Sequence, residues 1–192
     1  AAYADLRQAF VDAYAATRQQ TVDVDDALST AAGMIADARA RVPGWPLNRH
    51  AFAAVSGGLK KVYKRGRNRM ADAADEPEAE NFHEWRKRVK YLWYNVRILR
   101  PAWEEPLDEL ADEIHLLSDD LGDAHDLAEM QTQIAAHAST LSTAAHDALL
   151  GILKQEQARL RAAAFSRGRR IYAEKPGQFV DRLAAYWDAW QA

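Results

Sequence analysis

Between residues 81 and 101 the chain reads NFHEWRKRVKYLWYNVRILRP. Trp85, Val89, Leu92, Val96 and Leu99 recur at intervals of four and three. That interval stacks all five on one side of an α-helix and is incompatible with the two-residue period of a strand. The rest of the chain agrees. Ala, Leu, Glu, Gln, Lys and Arg dominate, and long β-branched runs are absent. The predicted class is all-α, an antiparallel up-and-down helical bundle. Its 192 residues suffice for one sizeable core or two small ones, and a single helical domain over residues 1–192 is expected.

Breakers and caps divide the chain. A first helix is predicted over residues 2–20. A second runs to about residue 41, with Asp23, Asp25 or Asp26 as its cap. PGWP (residues 43–46) is a firm break. Asn48 is the candidate cap of a third helix through LKKVYKRGRNRMADAA, weakened by Gly57 and Gly58. DEPEAEN (residues 75–81) reads as a polar loop. The opening stretch is the fourth helix, stopped by Pro101. Pro106 suits the first turn of a fifth, from residue 107 past 130, with Gly122 a weak point. A sixth covers residues 142–172, with Gly151 and Gly168 as candidate breaks. EKPG (residues 174–177) is a turn, and FVDRLAAYWDAW closes the chain as an amphipathic helix. Short connections favour antiparallel neighbours.

Several classes drop out. No cysteine is present, which excludes a disulfide framework and fits a reducing compartment. No run of about 18 apolar residues exists, so no membrane span or membrane partner is expected. No signal peptide is visible at the start. The first residue is Ala1 rather than Met, as in a piece of a longer protein.

Net charge is −3, but its distribution is uneven. Residues 57–100 hold twelve basic and six acidic residues, whereas residues 101–150 hold twelve acidic residues and no Lys or Arg. On the fourth helix His83, Arg86, Lys87, Lys90, Tyr94 and Arg97 lie opposite the apolar stripe. On the third, Lys60, Lys64 and Arg67 share one face, while Arg65 and Arg69 point to other sides, to flank the core or pair with acids. Like charges three or four apart repel, so the stripes need partners. Two readings follow. Either the acids of residues 101–150 neutralise them through weak surface pairs, or the two helices merge their stripes into an anion-binding patch. In the second case Arg86 and Arg97 supply planar forks, and Lys60, Lys64, Lys87 and Lys90 supply mobile point charges. His125 falls on the apolar side of the fifth helix and reads locally as an interior histidine bonded to a carbonyl or acid. Tyr94 reads equally as a hydroxyl donor or a packing residue.

FHEWRKRVKYLWYNVRIL resembles the signature helix of the CHAD family, the conserved histidine α-helical domains. YKRGRNRMADA upstream and LSDDLGDAHDLAEM downstream are similar to that family in order and spacing, so the resemblance spans residues 57–130. It implies a helical bundle of two similar halves around a basic groove. It also implies binding of inorganic polyphosphate or another polyanion, and a cytoplasmic place beside polyphosphate granules. The family's phosphate-facing residues fall on His83, Arg86, Lys87 and Lys90, with Lys64 and Arg67 on the preceding helix and His125 and Asp126 in LGDAHDL. A full domain has a His- and Arg-rich helix in its first half, and residues 1–56 hold none. The chain thus resembles the C-terminal half with flanking helices, its groove completed by the missing half or by another copy of the chain.

Rivals are weaker. Glu80-x-x-His83 and Asp112-x-x-His115 echo the di-metal carboxylate pattern, but the first adjoins Arg86 and Lys87, and the second has Asp for Glu. Nucleotide-binding and hydrolase motifs are absent, so no enzymatic activity and no cofactor are expected. The alternative is a nucleic-acid-binding or protein-interaction scaffold. A nucleic-acid binder would add exposed aromatics for stacking, whereas Trp85 and Trp93 lie on or near the core side.

Overall fold

The computed structural model describes residues 3–20, 26–46 and 50–192, and among these every regular element is helical. The α-helices are α1 (Ala4–Arg18), α2 (Ala27–Arg41), α3 (Ala53–Asp75), α4 (Ala79–Leu99), α5 (Glu104–Ala136), α6 (Thr143–Ile171) and α7 (Pro176–Gln191). The all-α class is therefore as expected. No described helix is long and apolar enough to cross a membrane.

Local chemistry sets most boundaries. Pro101 lacks an amide hydrogen, and α4 tightens into a short 3-10 turn over Arg100–Ala102. Pro106 sits in the first turn of α5, where a missing N–H costs nothing. Pro176 opens α7, and the Lys175 amide donates to Gln178 Oε1 at 3.1 Å. Asp26 precedes α2 with a left-handed φ of 45° and makes no side-chain cap bond. Asp23, Asp25 and Asn48, the other expected caps, lie outside the described residues.

Two expectations are corrected. α6 runs unbroken through Gly151 and Gly168, and Gly168 serves packing: a Cβ there would lie 2.7 Å from both Met70 Sδ and Trp85 Cζ2. α4 starts at Ala79, taking in the end of the expected loop. α3 runs through Gly57 and Gly58, the expected local weak point, without a break.

The residues group into two compact units. One comprises Ala1–Asn48 with Gln133–Leu149. In it α1 buries Leu6, α2 buries no residue, and Phe10 meets the His137 ring edge-on at 6.0 Å.

The other unit comprises Arg49–Thr132 with Leu150–Ala192 and holds the larger core. The stripe read from the sequence is its spine: Trp85, Val89, Leu92 and Val96 are fully buried and Leu99 nearly so. Leu107, Ile114, Leu117 and Leu121 of α5 join the same cluster. Contacts between α4 and α5 run in opposite chain directions, from His83 with His125, through Trp93 with His115, to Arg100 with Asp108. That order defines an antiparallel pair. α3 packs on α4 and on α7. Tyr63 of α3 stacks on Phe179 of α7, ring centroids 4.1 Å apart, and its hydroxyl donates to the Ile171 carbonyl at 2.9 Å. Trp85 and Phe82 of α4 meet Phe165 of α6.

Candidate functional site

The basic side of α4 is defined by what it turns towards. Arg86 follows the buried Trp85 by 100° of helical turn, at the edge of the core. Its guanidinium lies across Gly122 of α5, where a Cβ would stand 3.1 Å from Nε and 3.2 Å from Nη2. Any larger residue would push the charged head a few tenths of an ångström from its seat. One turn back, the His83 and His125 rings face each other with centroids 5.4 Å apart. Arg86 Nε and His83 Nδ1 are buried and lack a hydrogen-bond partner among the described residues. Buried polar atoms are rarely left so. Lys90, one turn further along and half-buried, forms no ion pair with a described residue.

The other predicted residues divide. Lys87 pairs with Glu84 of its own helix, which also accepts Arg88 Nη2 at 3.1 Å. The Lys87 hydrogen bond, with the Lys87 and Arg88 charges, holds the Glu84 carboxyl below its ordinary range. Arg97 lies over the Trp93 ring at 4.8 Å, and Trp93 in turn adjoins Tyr94 and His115. Tyr94 is half exposed. His125 is only partly buried and has no carbonyl or carboxylate partner among the described residues, unlike the satisfied interior histidine of the local reading. Asp126 beside it is exposed and pairs with no described cation.

Lys60, Lys64 and Arg67 are exposed on α3. Arg67 Nη1 donates to the Glu174 carbonyl at 3.4 Å, and Lys60 Nζ lies 3.9 Å from where a Gly177 Cβ would stand. This stripe thus borders the α6–α7 connection, while Arg86 and His83 border α5. The two stripes adjoin different elements, and α3 and α4 share a seam. Their seam carries Arg65, Arg69 and Arg88, none of which the sequence reading placed at a site. The available signal was the Arg65–Arg69 spacing of four, which sets two like charges on one face.

Part of the acidic segment is occupied elsewhere. Arg167 of α6 donates Nη1 to Glu113 and Nε to Asp120, each at 3.0 Å, and Arg170 approaches Glu113 at 3.9 Å. Arg100 pairs with Asp108 at 2.7 Å. Among the described residues no α5 carboxylate forms an ion pair with His83, Arg86, Lys87 or Lys90.

Fold and seam together define a class: an all-α domain whose central helix presents arginine, lysine and histidine beside a glycine of its neighbour. The family model of the CHAD domain matches residues 1–135, and the chain belongs to that family. The match takes in residues 1–56, where the motifs carry little signal, and ends before α6 and α7, which nevertheless pack on α3 and α4. No curated protein and no solved structure matches the chain.

Proposed function

We infer that the chain binds inorganic polyphosphate, or a similar phosphoryl polyanion, through the α4 face around Arg86, Lys90, His83 and His125. The reading assigns it a binding role without catalysis, in the cytoplasm beside polyphosphate stores, as family membership implies. The observation that carries it is the Arg86 head, seated on Gly122 with its Nε unpartnered and without an ion pair to any described carboxylate. A guanidinium in that state offers forked donors to phosphoryl oxygens. Lys90 adds field one turn along, and the His83–His125 pair lies one turn back. Lys87, Arg97 and Tyr94 border the face. Lys60, Lys64 and Arg67 act as an outlying basic strip, and Asp126 lies exposed beside His125.

Binding to a linear polyanion proceeds with counterion release and weakens steeply with salt. The test is a salt-dependent titration of long-chain polyphosphate with wild type and an Arg86→Glu/Lys87→Glu/Lys90→Glu variant. Affinity is expected to fall about a hundredfold or more with helicity retained. An unchanged affinity removes the site. Displacement of polyphosphate by single-stranded RNA at equal phosphate concentration would favour the nucleic-acid reading instead.

A further inference from the structure

Two residues beyond Arg86, α4 turns its opposite flank to α3. A polar cavity of about 510 Å³ opens there, lined by Arg65, Asn68, Arg69 and Asp72 of α3 and Arg88 of α4. Three guanidinium groups therefore share one cavity. Arg65 and Arg69 stand four apart on one helix, where like charges repel, so an anion between them relieves a standing cost. Protein carboxylates neutralise the cluster only in part. Arg69 gives Nη1 to Asp72 at 2.9 Å, Arg88 gives Nη2 to Glu84 at 3.1 Å, and Arg65 forms no ion pair with a described residue. Each guanidinium carries five N–H donors, so most of the donors remain available.

The seam is bounded by acids on one side. Past Asp72 a second cavity of about 340 Å³ is lined by Arg69, Asp72, Asp75, Glu76 and Asn81. The charge there turns negative, which disfavours a long polyanion running on in that direction and favours a short one beside Arg65 and Arg88.

We propose that the α3–α4 seam is a second anion site, which takes a short oligophosphate on the flank of α4 opposite the long-chain face. Arg65, Arg69 and Arg88 grip phosphoryl oxygens, Asn68 donates its side-chain amide to them, and Asp72 closes the far end by repulsion. The site stands on its own residues and does not depend on the α4–α5 face.

Calorimetric titration with tripolyphosphate tests it, using wild type, Arg65→Gln/Arg69→Gln, Arg88→Gln and Arg86→Gln/Lys90→Gln. Wild type is expected to bind one tripolyphosphate per chain in this seam. Arg65→Gln/Arg69→Gln and Arg88→Gln each weaken that event about tenfold or more, and Arg86→Gln/Lys90→Gln keeps it. Circular dichroism verifies folding, and Arg88→Gln, which leaves α3 untouched, decides the matter if the double variant does not fold. Unchanged tripolyphosphate affinity in Arg88→Gln, or loss only in Arg86→Gln/Lys90→Gln, overturns the proposal. Unchanged long-chain binding in Arg86→Gln/Lys90→Gln would sink the α4–α5 face alone and leave the seam standing.

Discussion

Trp85 and Arg86 are consecutive residues of α4, and each is seated on a glycine of a different helix. Trp85 closes on Gly168 of α6, and Arg86 lies across Gly122 of α5. A missing Cβ admits an indole into a dry core in one seam and a charged head at the edge of the core in the other. The difference lies in what surrounds each contact. Met70 and Phe165 close around Trp85, which is fully buried. Arg86 is a charged group only partly buried, with the His83–His125 pair one turn away and Lys90 on the same side. The first seam contributes stability, and the second leaves a cation available.

Substitution at the two glycines separates these roles. Gly168→Ala brings a Cβ to 2.7 Å from Met70 Sδ and from the Trp85 ring. Thioether and indole have little room to shift, so stability is expected to fall by about 1–3 kcal/mol, the range for overpacking a core. Thermal denaturation measures it. Polyphosphate affinity of the folded protein stays as in wild type, and a loss of affinity there would break the distinction between the seams.

An alkaline melt sharpens the picture of the dry side. Burial, reinforced by the Glu174 charge, pushes the Tyr63 hydroxyl up to about 12, and burial raises Tyr172 as well. A phenol raised in the folded state favours folding fully below its ordinary value near 10, and this contribution is lost as pH rises towards 12. The melting temperature is therefore expected to hold to about pH 10 and then to drop. Tyr63→Phe should be less stable at neutral pH by about 1 kcal/mol for its lost hydrogen bonds, with a shallower alkaline decline. An equally steep decline in the variant would contradict the assignment.

Gly122→Ala is the mildest test. Its Cβ would meet the mobile end of Arg86 at 3.1 Å, so the guanidinium shifts by a few tenths of an ångström. Alanine also favours the helix by up to about 1 kcal/mol, and stability is expected to be unchanged or slightly raised. Polyphosphate binding should weaken about threefold, roughly 0.7 kcal/mol. Unaltered binding would show that the position of Arg86 over Gly122 does not matter.

The helices and the α4 spine were legible because spacing alone dictates which residues are buried. Pro101 and Pro106 marked their boundaries for a backbone reason that no tertiary contact overrides. Gly151 and Gly168 misled as candidate breaks, since a sequence shows the lower helix propensity of glycine but not, at Gly168, the Trp85 that packs on it. The chemistry of His83, Arg86, Lys90 and His125 was readable as residue types on a face. Whether the Lys60–Lys64–Arg67 stripe would join them depended on which flank of α3 meets α4. That is a packing outcome, and it placed Arg65, Arg69 and Arg88 in the α3–α4 seam. The pairing of the acidic segment was equally hidden, because Arg167 lies 47 residues from Asp120 in sequence.

The central claim is that Arg86 and Lys90 of α4 are available to a polyanion while Arg167 and Arg170 of α6 are held by carboxylates. Arg86→Gln/Lys90→Gln and Arg167→Gln/Arg170→Gln remove the same charge, so titrating both with long-chain polyphosphate across a salt series isolates position from net charge. The α4 variant is expected to lose about tenfold or more in affinity, with its salt slope flattened by about two and its melting temperature retained. The α6 variant is expected to keep its affinity within about twofold while melting earlier. Equal losses of affinity in the two variants would contradict the account.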